Sequence, residues 1–235
     1  MELYAGTSGY SYKEWKGSFY PAELPDDQML AYYGERFNTV EINNTFYRMP
    51  TEKLLASWAE KVPGSFRFTL KASRKITHVK RLKEAQEETE FLVRTAGILD
   101  GRLGTILFQL PPFLAKDAPR LEAFLALLPG GLRAAFEFRH PTWMDAEVQG
   151  LLRGGNAALC LSDTDESPAD GLPATADWGY LRLRRTGYDE QQLAAWVQRL
   201  RGQPWSEAYV YYKHEEAGVG AQLAARFRQL WQDGR

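Results

Sequence analysis

Short apolar, β-branched or aromatic runs recur eight times along this 235-residue chain, and amphipathic segments separate them. The runs lie near Leu3 to Gly6, Thr39 to Asn43, Arg67 to Lys71, Gly104 to Gln109, Ala134 to Arg139, Ala157 to Ser162, Gly179 to Arg184 and Ala208 to Lys213. Strands that alternate with helices build a parallel sheet, and eight βα units close it into a barrel. The length is close to the ~250 residues typical of that fold, and no linker, low-complexity tract or internal repeat divides the chain. The expectation is an α/β protein: a single (β/α)8 TIM-type barrel, one domain over residues 1–235.

The intervening segments carry helical signals. Leu54, Leu55 and Trp58 follow turn residues near Thr45 or Thr51. Phe91, Leu92, Thr95, Ile98 and Leu99 form one stripe, and Leu121, Phe124, Leu125 and Leu128 another. Asp189 is placed to cap a helix that buries Leu193, Trp196, Val197 and Leu200. The sixth connection, Asp163 to Trp178, carries Pro168, Gly171 and Pro173 without an apolar period, which predicts irregular structure there.

Three strands turn polar only at their ends, on alternating positions: Val40-Glu41-Ile42-Asn43, Phe136-Glu137-Phe138-Arg139 and Leu181-Arg182-Leu183-Arg184. Alternate side chains of a barrel strand point inward. Continuing that alternation around the ring puts Glu41, Asn43, Lys71, Gln109, Glu137, Arg139, Arg182, Arg184 and Lys213 at the C-terminal mouth, where barrel enzymes work. Two carboxylates face five cations. The formal net charge of the chain is −1, so attraction for an anion must come from such local clustering. Phosphate is the leading ligand. The bland alternative is an ion network that only keeps the mouth neutral.

Other clusters extend this reading. Lys71, Arg74, Lys75, His78, Lys80, Arg81 and Lys83 make a basic third loop with no acidic residue before Glu84. It suits phosphate contacts along a nucleic-acid backbone, or is simply a solvated loop. Arg184-Arg185-Thr186-Gly187-Tyr188 follows the seventh strand, and Gly218 and Gly220 precede the last helix, where barrels often hold phosphate. Tyr10, Tyr12, Trp15, Phe19 and Tyr20, with Lys13 and Lys16 among them, gather in the first loop. They form either a hydrophobic plug or a stacking platform, with Tyr12 the favoured ring for ligand contact.

The only histidines, His78, His140 and His214, all fall just past strand ends. They could converge with Glu41, Glu137 and Asp163 as acid/base groups, but their spacing matches no metal motif and no metal site is predicted. The lone Cys160 excludes an intrachain disulfide and fits a reducing, cytoplasmic setting. No apolar stretch approaches the ~20 residues of a membrane span, so no membrane partner is expected. The cofactor is unknown from the residues, since neither a Walker loop nor a Gly-x-Gly-x-x-Gly is present, and a Gly-x-Ser-x-Gly elbow is also missing. Glu41 and Glu137 could also be a glycosidase pair, although the surrounding cations would suit only a phosphorylated sugar.

Five separated motifs carry a family resemblance. They are Gly6-Thr7-Ser8-Gly9-Tyr10-Ser11-Tyr12 with Trp15, Gly17 and Phe19-Tyr20-Pro21; Val40 to Tyr47; Ile76-Thr77-His78; Phe108-Gln109-Leu110-Pro111-Pro112; and Glu137-Phe138-Arg139-His140 with Trp143. In this order they resemble the YecE-like family, also called domain of unknown function 72, over nearly the whole chain. The resemblance implies the barrel fold and draws Trp143 into the candidate set, but implies little chemistry. Tyr10 stands where the family often has tryptophan, and Arg184 where it often has histidine.

The functional expectation is binding of a phosphate-bearing small molecule, with possible hydrolysis or transfer at a phosphodiester or phosphorylated sugar. Glu41 or Glu137 would act as general base, while Arg139, Arg182 and Lys213 stabilise developing charge. Ligand contacts would come from Tyr12, Asn43, Lys71, His78, Gln109, His140, Trp143, Asp163, Arg184, Tyr188 and His214. The alternative is a non-catalytic nucleic-acid-binding protein that uses the basic third loop and the aromatic first loop.

Overall fold

A computed structural model of the chain describes residues 1–213 and 218–234. Eight parallel strands run β1 (Glu2–Thr7), β2 (Thr39–Ile42), β3 (Arg67–Lys71), β4 (Leu103–Gln109), β5 (Ala134–Glu137), β6 (Ala158–Asp163), β7 (Trp178–Leu183) and β8 (Glu207–Tyr212). They hydrogen-bond in the order β1-β8-β7-β6-β5-β4-β3-β2. The ring closes where Ser8 bridges Glu41 and Gly9 N donates to Glu41 O at 2.8 Å. All eight predicted runs are strands, and Asn43, Arg139, Arg184 and Lys213 sit just beyond their ends.

The helices are α1 (Met29–Gly34), α2 (Asn44–Tyr47), α3 (Glu52–Ala59), α4 (Gln86–Ala96), α5 (Ala118–Leu125), α6 (Ala146–Gly154), α7 (Glu190–Arg201) and α8 (Val219–Asp233). Thr51 caps α3 by accepting from Leu54 N. Asp189 and Gln192 form a reciprocal capping box on α7, which buries Leu193, Trp196, Val197 and Leu200 as expected. In the stripe around α4, Leu92, Thr95 and Leu99 are buried, but Phe91 and Ile98 are 41% and 42% exposed. Five apolar positions overfill the arc that one helix face can turn to the barrel. The β6–β7 connection is irregular, with no helix.

Closure between β1 and β2 relies on side chains as well as backbone. Asn38 Nδ2 donates to Leu3 O at 2.8 Å, and its Oδ1 accepts from Ala5 N at 3.3 Å. The buried Tyr33 hydroxyl accepts from Thr7 N at 2.9 Å and lies 3.1 Å from Thr39 O. Gly6 permits this approach, because a Cβ there would stand 2.2 Å from Thr39 O. Tyr33→Phe should leave Thr7 N–H and Thr39 C=O unpaired at a dry seam. The expected result is a loss of about 1–3 kcal/mol in urea unfolding, together with faster amide exchange at Thr7.

The barrel interior is aromatic and hydroxylic. Tyr4 stacks on Tyr209 with centroids 4.8 Å apart, in one buried cluster with Trp178, Tyr180 and Tyr211. A chain of hydroxyls, Thr39, Tyr211, Thr69 and Thr105, is linked at 2.7 Å per contact. Inward polar side chains thus begin one layer below the mouth, each satisfied by the next.

Candidate functional site

The floor of the mouth is a carboxylate–guanidinium–carboxylate bridge. Arg182, reaching up from β7, donates from Nη2 to Glu41 Oε1 at 2.8 Å and from Nη1 to Glu137 Oε2 at 2.7 Å. All three side chains are buried. Glu41 is further held by Ser8 Oγ at 2.7 Å and Asn43 Nδ2 at 3.2 Å, both on Oε1, and by the Tyr180 hydroxyl at 2.6 Å on Oε2. Each partner sits on a strand position of inward parity, so the pleat aims them all at one point.

The fields in this cluster are strong. Burial acts to raise the Glu137 carboxyl, but Arg182 above all, then Gln109 and Arg184, overcome it and bring it down to about 2. Glu41 is likewise lowered, burial being outweighed by Arg182 and by the bonds from Tyr180 and Ser8. Both carboxylates are therefore ionised, weak bases. For Lys71 a lowered pKa means a disfavoured charge: burial, then the Arg182 charge, brings its ammonium from 10.5 down to about 8.

Around the bridge stands a looser set of cations. Arg139 Nε is 3.6 Å and Arg184 Nη1 3.9 Å from Glu137 Oε1, beyond good hydrogen-bond length. Among the described residues the buried Arg182 Nε and Arg184 Nη1 have no hydrogen-bond partner. Lys71 Nζ donates to Gln109 Oε1 at 2.8 Å and sits 4.4 Å from the centre of the Phe46 ring. Phe46 also takes the edge of His78 at 4.9 Å. Lys213 is exposed at the rim, and His214 lies outside the described residues.

A side cleft opens beside this cluster. The β5–β6 ladder consists of only two pairs, Ala135 with Ala158 and Phe136 with Leu159. Beyond it the strands part, and a cleft of about 670 Å³ runs beneath the irregular β6–β7 segment, with Glu137, Arg139, Cys160 and Ser162 on its walls. That volume is in the range of small-molecule sites.

Several candidates have structural partners that occupy them. The Trp143 indole is buried, stacked 4.5 Å from Phe138, with Nε1 donating to Leu114 O at 2.7 Å. Asp163 lies on the outward parity of β6, where it accepts from Tyr188 OH, Arg185 Nη2 and Ala169 N at 2.8, 2.8 and 2.9 Å. Asp163 and Tyr188 thereby tie two loops together behind the mouth. His140 caps the turn Pro141–Trp143 through Thr142 and does not join His78. Tyr12 packs on Trp15, and its hydroxyl donates to Ser8 O at 2.6 Å. Trp15 and Tyr20 are buried, which favours the plug for most of the first loop.

In the third loop, Glu88 pairs with Lys75 at 2.8 Å and Lys80 at 2.7 Å, an acid from α4 that the loop sequence alone does not reveal. Ser8, Tyr180 and Phe46 are site residues the sequence reading passed over. Extending the inward parity one step along β1 and β7 identifies the first two, whereas Phe46 is marked only as part of the Val40 to Tyr47 motif. Among the described residues no group of three or more His, Cys, Asp or Glu side chains is arranged to hold a metal, and no helix is long and apolar enough to cross a membrane.

The family described as "Protein of unknown function DUF72" matches residues 4–235. The UPF0759 protein YecE of Escherichia coli is 36% identical over 129 residues, 53% of this chain and 47% of that protein. The chain thus spans about half the length of that curated relative. The UPF0759 protein YunF of Bacillus subtilis is 21% identical over 229 residues, covering 91% of this chain and 79% of that protein. A crystal structure of a DUF72 family protein from Thermotoga maritima superposes with a TM-score of 0.86 at 27% identity, covering 99% of this chain and 100% of that one. A DUF72 family protein from Enterococcus faecalis gives 0.80 at 17% identity over 98% and 95% of the two chains.

Proposed function

The chain belongs to the DUF72 family of proteins of unknown function, and from the chemistry of its barrel mouth we propose that it binds a small phosphate-bearing ligand there. The observation that carries this reading is an excess of cationic donors without acceptors. Arg182 neutralises itself against two carboxylates, yet among the described residues its Nε and Arg184 Nη1 have no hydrogen-bond acceptor. Arg139 is only loosely paired, and Lys71 has a neutral partner. A phosphate oxygen is the ligand that satisfies such donors, and a guanidinium meets it with charge-assisted, directional bonds. The 670 Å³ cleft beside Glu137 and Arg139 offers room for the rest of the molecule.

Glu41 and Glu137 hold and orient Arg182 in this reading. Carboxyls kept so acidic accept a proton poorly at neutral pH. If the ligand undergoes hydrolysis or transfer at a phosphodiester or phosphorylated sugar, the general-base role passes from the glutamates to Lys71. The small molecule is favoured over nucleic acid because Glu88 already neutralises Lys75 and Lys80, the cations a nucleic-acid backbone would need.

Isothermal titration with inorganic phosphate and ribose 5-phosphate tests the proposal. The double variant Arg139→Ala/Arg184→Ala is expected to weaken both ligands by about 10- to 100-fold, the loss expected for a charge-assisted bond. Lys75→Gln/Lys80→Gln should leave both affinities where they were. Phosphate affinity that survives loss of the two arginines rejects the site.

A further inference from the structure

Lys71 differs from the other cations of the mouth in what surrounds it. It is buried at the end of β3, with Gln109 Oε1 and the Phe46 ring against its ammonium, and among the described residues no carboxylate pairs with it. Burial and Arg182, with a smaller push from Arg139, lower its pKa against the opposing charges of Glu41 and Glu137. A lysine desolvated against a ring and crowded by guanidinium groups is an amine prepared for covalent chemistry with carbonyl carbon.

His78 lies against the same ring, its imidazole meeting Phe46 edge-on with ring centroids 4.9 Å apart. Its Nδ1 is 2.9 Å from Thr77 Oγ1, whose own proton goes to Ser73 O at 3.3 Å. This assigns the imidazole proton to Nδ1 and leaves the Nε2 lone pair available. Burial, then Lys71 and Arg139, lower the His78 pKa, so the ring is neutral near pH 7 and able to carry a proton.

We propose, building on the phosphate-site reading above, that Lys71 is an imine-forming nucleophile for a phosphorylated aldehyde or ketone, with His78 as the proton carrier. Neutral Nζ forms a bond to the carbonyl carbon, and the carbonyl π pair moves to oxygen. One amine proton goes to that oxygen to give the carbinolamine. His78 Nε2 takes the second and returns it to the hydroxyl as the C–O bond breaks. The nitrogen lone pair closes the C=N bond, and one water leaves with the carbonyl oxygen and both amine protons. Arg139 and Arg184 hold the phosphate meanwhile, so that the carbonyl meets Lys71 at high effective concentration.

The test is reductive trapping on the whole wild-type chain: dihydroxyacetone phosphate with sodium cyanoborohydride, followed by peptide mass spectrometry to map the reduced adduct. Lys71 is expected to be labelled at least about 10-fold faster than the exposed Lys13, Lys53 or Lys83, because at neutral pH a far larger fraction of it is free amine. Its labelling rate should rise with pH to a midpoint near 8, the value its surroundings impose. His78→Gln should slow labelling by at least about 10-fold, as loss of a general acid–base group does. An unlabelled Lys71 beside labelled surface lysines overturns the proposal. Two further arms separate it from the phosphate reading. Unlabelled Lys71 in a protein that binds inorganic phosphate rejects the imine step alone. Equal labelling by dihydroxyacetone, unprotected by inorganic phosphate, upholds the nucleophile and rejects the phosphate site.

Discussion

Arg182→Met is expected to destabilise the fold by about 3–5 kcal/mol, because it strands Glu41 and Glu137 as two buried carboxylates without their shared counter-ion. For a chain of this size that is a fall of roughly 6–20 °C in Tm. The bonds lost are the 2.8 and 2.7 Å contacts from the guanidinium. Acidity reveals the cause. In the wild type, Glu137 is depressed to about 2, so its contribution is complete above the unfolded carboxyl pKa and disappears as pH falls through the folded value. In the variant the same carboxyls resist ionisation, and protonating them relieves the penalty. The stability gap between the two proteins should therefore shrink as pH falls, first above about 4.5 as the variant's buried carboxyls take up protons in the folded state, then from about 4.5 toward 2 as the wild type loses its own contribution. Urea unfolding across that range measures it. The triple variant Glu41→Gln/Glu137→Gln/Arg182→Met should recover much of the loss, since removing a whole buried ion network is far milder than breaking it. If Arg182→Met unfolds like the wild type at pH 7, the bridge does not hold the mouth together.

Lys71→Met should act in opposite directions on stability and binding. Folding lowers the ammonium from 10.5 to about 8, so below pH 8 the native state carries a charge it disfavours. Between the two values the unfolded chain binds more protons, and wild-type stability rises with pH. Replacement by methionine, similar in volume and apolar, is expected to gain roughly 1–3 kcal/mol at pH 7. The gain is full below about pH 8 and fades toward 10.5. Phosphate affinity should drop about 10- to 100-fold in the same variant, as one charge-assisted donor is lost. A protein that is more stable without a residue, and that binds worse, keeps the residue for what it does to a ligand. Unchanged stability with unchanged binding would mark Lys71 as an ordinary rim cation.

The sequence was most informative where physics is local. Strand periodicity gave all eight strands, and the Asp189 box and the Thr51 cap are readable from a few neighbouring residues. It was less informative where a residue has two plausible partners at a distance. Trp143 and Tyr188 look like site aromatics beside strand ends, yet each is committed to packing and hydrogen bonding on the outer side of the barrel. The basic third loop reads as a polyanion surface until Glu88 folds back on Lys75 and Lys80. Phe91 and Ile98 fit a helical stripe, but the curvature of the barrel leaves room to bury only its centre.

The alternating ends of β2, β5 and β7 by themselves determined that Glu41, Glu137 and Arg182 face one mouth, because inward parity depends only on a period of two along each strand. Which charges meet was decided by the tertiary structure. Arg182 reaches one carboxylate 141 residues away and another 45 residues away at the same moment. Nothing in the local pattern specifies that a single guanidinium will take both, or that Lys71 will be left with an amide and a ring. Those assignments arise from strand order, shear and burial, which set distances and the local dielectric, and these in turn set which proton each group holds.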